Sequence, residues 1–216
     1  PGDASMLAGI RGDRLRDTPG WSARGRSLMR SALPDEAAAR DAGLDLERDI
    51  DEALLVWDGV HFIGLARGRF DGRTGERLGA GEGSAIFLDE STLAAGSRED
   101  VAWLLAERGR MAGPPAALKK LMGELPPESH AWLVAIGGRA PDVRDNAANF
   151  AQVLTAAESV WAALSFDRDA RLSAKIVANS DKEAATLEGG LSALAALARV
   201  SARDAAAAKA IEGIRI

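Results

Sequence analysis

The residue types able to carry chemistry are few in this sequence, and they are widely spaced. Six glycines fall within residues 68–85, "GRFDGRTGERLGAGEGSA", and the core "GAGEGS" has the look of a phosphate cradle. A dinucleotide fingerprint needs a strand, then glycines at fixed offsets, then a helix whose first amides receive the pyrophosphate. Here a strand pattern, "AIFLD", follows the glycines, no Lys-Ser or Lys-Thr pair is present, and Glu82 would repel phosphate. The run reads as a slack hairpin connection.

The two histidines, His61 and His130, lie far apart without the His-Glu-x-x-His spacing of a zinc site. "DLERDIDE" (45–52) offers the oxygens of Asp45, Glu47, Asp49, Asp51 and Glu52, but it lacks the central glycine and ordered spacing of a calcium loop. It reads as a helix start running into a strand. The "RGD" at 11–13 is a chance match in an arginine-rich stretch. There is no cysteine, so thiolate ligands, thiol nucleophiles and disulfides are excluded. No Gly-x-Ser-x-Gly elbow occurs, and none of the 32 acids forms a distinctive pair. No catalytic residue, cofactor or metal ligand is assigned. The candidate ligand or partner surface consists of Trp57, Trp132 and Trp161, each on an expected strand, with Arg11 and Arg14. Tryptophans so placed pack a core or sheet surface first and offer a stacking platform second.

The elements that must position these residues follow from pattern. Pro19 and Pro34 break the first stretch into short helical pieces, and Asp35 to Gly43 reads as a helix with acids in its first turn. "ALLVWDGVHFIGLARG" holds two apolar runs joined by Asp58-Gly59, which predicts a hairpin with a two-residue turn. "SAIFLDESTLAAGS" predicts a second hairpin. "REDVAWLLAERG" predicts a helix capped by Ser97, with Val101, Leu104 and Leu105 on one face and Gly109 at its end. Further on come a strand at 130–138, a helix at 146–160, and a hairpin at 161–180 whose Leu172, Ala174, Ile176 and Ala178 share the buried face. Ser180 and Glu183 have capping-box spacing for a last helix.

The fold class expected is α+β, an antiparallel sheet or sheets from two hairpin-plus-helix modules with helices packed on one face. The expected organisation is a helical segment at 1–52, a first module at 53–110, a Pro-rich linker at 111–129 and a second module at 130–216. At 216 residues and 47% hydrophobic, the chain is long enough to bury a core. The net charge of −5 argues against a nucleic-acid binder, although residues 1–30 carry six arginines against three aspartates. No run is long and apolar enough to span a membrane. The chain opens at Pro1 rather than Met, which fits a processed form.

Several stretches together carry a family resemblance: "LAGI…LR", "GLDLERDIDEALLVWDG", "ARGRF", "AIFLDESTLAAGS" and "SHAWLVA". Over residues 5–215 the chain resembles an uncharacterised family of predicted-exported bacterial α+β repeat proteins with no assigned activity. The resemblance implies an extracytoplasmic protein of the periplasm or cell envelope and transfers no site residue. Members usually place a further aromatic strand where this chain has its 71–83 loop, and another strand beyond "EGIRI". The leading expectation is a non-catalytic interaction or scaffold protein with a protein partner or a second copy of itself. The alternative is a carrier of a small apolar ligand or lipid between sheet and helices, and an enzyme of unrecognised type is the third.

Overall fold

The computed structural model describes residues 4–18, 45–70, 84–110, 112–139, 153–166 and 170–201. The helix expected at 35–43 and the glycine-rich run at 71–83 lie outside them. Eight strands form one sheet: β1 (Met6–Arg11), β2 (Ile50–Trp57), β3 (Phe62–Gly68), β4 (Ser84–Asp89), β5 (Thr92–Gly96), β6 (Ala131–Ile136), β7 (Ala157–Phe166) and β8 (Ala170–Ala178). Their order is β4-β5-β3-β2-β1-β6-β7-β8, and each neighbouring pair is antiparallel. With α1 (Gly12–Arg16), α2 (Leu46–Asp49), α3 (Arg98–Glu107), α4 (Ala116–Glu124) and α5 (Asp181–Ser201), the architecture is α+β.

The hairpins fall where the apolar runs put them, but the first turn differs from expectation. Trp57 pairs with Phe62, so four residues rather than two make the loop. Asp58 decides this: its carboxylate accepts from the amides of Val60 (2.8 Å) and His61 (2.7 Å), and only Gly59 takes a positive φ, 104°. A side-chain-closed Asx loop has replaced the tight turn. The second hairpin turns at Asp89, which accepts from the amide of Ser91 at 2.9 Å.

Both serine caps form. Ser97 accepts from the amide of Asp100 (3.1 Å), whose carboxylate returns a bond to the Ser97 amide, completing a capping box at α3. At α5 the Glu183 amide donates to Ser180 Oγ. In α3, Val101 and Leu104 are buried while Leu105 is 52% exposed, so its apolar stripe is narrower than expected. The helix also ends before Gly109, which does not adopt a positive φ.

Two expectations are overturned. Met6–Arg11 is no helical piece but the strand at the middle of the sheet, flanked by β2 and β6. Of the helix expected at 146–160, residues 146–152 lie outside those described, only 153–156 are helical, and 157–160 are the start of β7. Alanine-rich sequence favours helix weakly, and pairing on both sides with β6 and β8 overrides that preference. On β8 the face expected to be buried is not: Leu172 is 67% exposed, Ala174 is exposed, and Ile176 and Ala178 are only half-buried, because β8 is an edge strand.

Register sorts the side chains onto two faces. Leu7, Val56 and Val134 lie on one face and join Leu118 and Leu121 of α4 in a core cluster. Met6, Trp57, Ala135 and Val160 lie on the other, against Leu154. The segment expected as a linker thus contributes core leucines. Leu118 is 0% exposed, and Leu118→Ala should cost about 2–5 kcal/mol in urea denaturation; a change under about 0.5 kcal/mol would mark the segment as a mere spacer.

Candidate functional site

Helices α3 and α4 sit on the same face of the sheet but on different strands. Leu104 of α3 packs with Ile63 and Ala94 over β3 and β5, while α4 packs over β6 and β7. The leucines of α4 also cover Leu7 of β1 and Val56 of β2, and Val56 is the direct cross-strand partner of Ile63 under α3, so the two clusters meet at that end of the sheet. Toward the other end, residues of β1, β2 and β3 form the floor of a trough lined by Leu104 of α3 and Met122 of α4.

Each wall is anchored independently. The carboxylate of Asp58 lies 3.0 Å from His61 Nδ1, and the His61 ring stacks on Trp103 of α3, centroids 4.1 Å apart at 12°. Burial by itself would raise the Asp58 pKa, but the amide and ring of His61 and the amide of Val60 together outweigh it and hold the carboxyl below its ordinary range. On the other side, Glu124 at the end of α4 accepts from Lys175 Nζ (2.8 Å) and Trp161 Nε1 (3.2 Å). The Lys175 ammonium is the main reason the Glu124 carboxyl titrates lower than usual, and it offsets an acid placed at the unfavourable end of a helix dipole.

The trough is a half-open groove of about 540 Å³. Its floor and walls are chiefly Leu7, Leu54, Leu65, Leu104, Met122 and Trp132, closed at one side by the turn at 112–114. Gly9 and Trp132 are direct cross-strand partners. A Cβ at Gly9 would overlap the Trp132 indole, so the glycine lets the ring lie flat on the floor. All three charged lining residues gather at one end: Arg11, Glu52 and Arg67 stand in register on β1, β2 and β3, with Thr92 next on β5. Arg67 Nη2 donates to Glu52 at 2.6 Å.

Of the candidate residues, the structure brings Trp132 and Arg11 into this groove. Trp161 is on the same face but bonded beneath α4, Trp57 is buried on the opposite face, and Arg14 on α1 donates to the Pro127 carbonyl at 2.8 Å. Arg67, Thr92 and Met122 are not among the candidates, and Glu52 enters the sequence reading only as one oxygen of the 45–52 acidic run. Their one sequence signal is the hairpin register, which sets Glu52 opposite Arg67 once the loop length is known. Among the described residues, no three of His, Asp and Glu converge in a way that would hold a metal ion.

His130 has structural partners. Its Nδ1 accepts from the Phe166 amide at 3.1 Å, and its Nε2 lies 3.3 Å from Thr18 Oγ1, which itself donates to the Arg14 carbonyl. That pattern requires a neutral ring with its proton on Nε2. Burial, then the charges of Arg14 and Arg11, against a smaller opposing effect of Asp13, lower its pKa below the ordinary 6.5.

No family model matches the chain, and no curated protein matches it. Among solved structures it is similar to crystal form I of TP0453, at 10% identity over 80% of this chain and 74% of that one, with a TM-score of 0.48. That likeness is too distant to carry an argument about the groove. No helix among the described residues is long and apolar enough to cross a membrane.

Two measurements test the local geometry. Gly9→Ala should lift the Trp132 indole, red-shift its emission and cost about 1–3 kcal/mol, most of it recovered when Trp132→Leu is added; additive losses would mean that the two do not press on each other. For His130, the unfolded ring binds a proton near 6.5 and the folded ring resists it. Stability is thus complete above about pH 6.5 and declines as pH falls below it. The melting temperature should drop between pH 7 and 5, and His130→Gln should flatten that drop.

Proposed function

We propose that this protein is a non-catalytic carrier that holds one small apolar ligand or lipid in the groove between α3 and α4. One observation carries the reading: a groove of about 540 Å³, chiefly apolar, is lined by the central strands together with Leu104 of α3 and Met122 of α4. That volume is within the range of small-molecule sites, about 300–1,000 Å³. A scaffold role in the cell envelope rests on the repeated pattern, the missing catalytic signature and the family resemblance, and the groove favours the carrier over it. In this reading the two hairpin-plus-helix halves are repeated modules, one supplying α3 and the other the strands under α4, and the protein works outside the cytoplasm.

The test is titration with an uncharged fluorescent naphthylamine, read both by its own emission and by quenching of tryptophan. Saturable binding at one site per chain is expected. Leu65→Trp, which fills the floor, should weaken it by at least tenfold with the melting temperature little changed. Equal affinity in wild type and variant would place the probe elsewhere and sink the carrier reading for this groove.

A further inference from the structure

We infer that the groove is built for a long-chain monocarboxylate, an amphiphile whose anionic head meets Arg11 and whose single tail lies along β1; this deepens, and rests on, the carrier reading above. The charges in the groove are not scattered over its lining. Arg11, Glu52 and Arg67 occupy one cross-strand row at one end. Glu52 is already matched by Arg67 at 2.6 Å. Arg11 is half-buried, and among the described residues its guanidinium makes no hydrogen bond or ion pair with any other side chain. The row therefore holds one uncompensated positive charge at the mouth of an apolar trough. A guanidinium in that position prefers a planar carboxylate, which it can meet with two parallel bonds.

Charge and lining narrow the ligand class. One net charge matches a monoanion, whereas a phosphomonoester would bring a second negative charge beside Glu52. From Arg11 the lining continues past Gly9 and Trp132 to Leu7 and Ala4 without another charged group. Leu7 and Ala4 are themselves buried in the cluster with Leu118 and Leu121, so the open part of the path is the stretch from Arg11 over the indole. Such a path suits one extended acyl chain lying over the indole, with Leu54, Leu65 and Met122 along its sides.

The experiment compares hexadecanoate, hexadecanol and hexadecyl phosphate by displacement of the naphthylamine probe and by direct calorimetry. The proteins are wild type, R11Q, R11K and R14Q. Hexadecanoate should bind wild type about tenfold to a hundredfold more tightly than hexadecanol, the worth of one charge-assisted contact. R11Q should erase that difference while leaving hexadecanol unaffected; R11K should retain part of it, and R14Q all of it. Shortening the acid should weaken binding by about fourfold per methylene removed. Equal binding of acid and alcohol, or an unchanged R11Q, overturns the head-group assignment and leaves the carrier reading standing. Tighter binding of hexadecyl phosphate overturns the monoanion. No binding of any of the three, with no naphthylamine binding either, removes the carrier reading and this inference together. Melting curves confirm folding of each variant, and R11K supplies the arginine test should R11Q fail to fold.

Discussion

The double pairing of β1 is the constraint on which the rest of the structure depends. Met6–Arg11 bonds to β2 on one side and to β6 on the other, and the bonding continues beyond both ends of the strand. The Ser5 amide donates to the Trp57 carbonyl, the Ile136 amide to the Ser5 carbonyl, and the Arg11 amide to the His130 carbonyl, each within 2.8 Å. Without this strand, β2 and β6 would each present a row of unpaired amides and carbonyls to water, which is the liability of any sheet edge. With it, one sheet has a common register, and that register decides which side chains face the helices. It also sets the distance between α3 and α4, since each helix is docked on its own strands.

The same strand supplies the groove with its two distinctive features. Gly9 removes a side chain where the Trp132 indole must lie, and Arg11 ends the strand with a charge. A bulkier residue at the first position would lift an aromatic ring into the trough. A neutral residue at the second would leave Glu52 and Arg67 as a closed pair and make the groove end electrically silent. Both depend on parity: an odd shift in the β1 register would send Gly9 and Arg11 to the opposite face.

What could be read from the sequence was short-range. The Ser97 and Ser180 caps and all three hairpins are settled by residues a few positions apart, so local chemistry reveals them. β1 was hidden because "MLAGIR" is short, has a glycine in its middle, and finds its partners only around Leu54 and Leu133. Only the first four residues of β7, Ala157–Val160, read as the end of a helix, because Ala157 and Glu158 carry little β preference of their own and the pairing on both sides lies in the tertiary structure. Even the Asp58-Gly59 turn shows the limit: the dipeptide marks the hairpin, while the loop length follows from the carboxylate closing on His61. The groove was least legible of all. Trp57 and Trp132 look alike in sequence, and only the pairing of their strands through β1 puts one on each face.

The arrangement also separates stability from binding. Leu104 with Ile63 and Ala94 secures one wall, and Leu118 and Leu121 with Leu7 and Val134 secure the other. Each cluster buries its own apolar surface, and truncating any one of these leucines is expected to cost a few kcal/mol whether or not the groove is occupied. The floor between them is only half-buried: Leu54 and Leu65 give part of their surface to the trough and part to the flanking clusters. Changes there alter the shape and polarity of the trough while the walls keep their anchors. The two clusters meet at Val56 and Ile63 but leave Leu54 and Leu65 partly uncovered beside them. That apolar surface is what a ligand would cover, and the charge of Arg11 at its end sets the direction in which the ligand would lie.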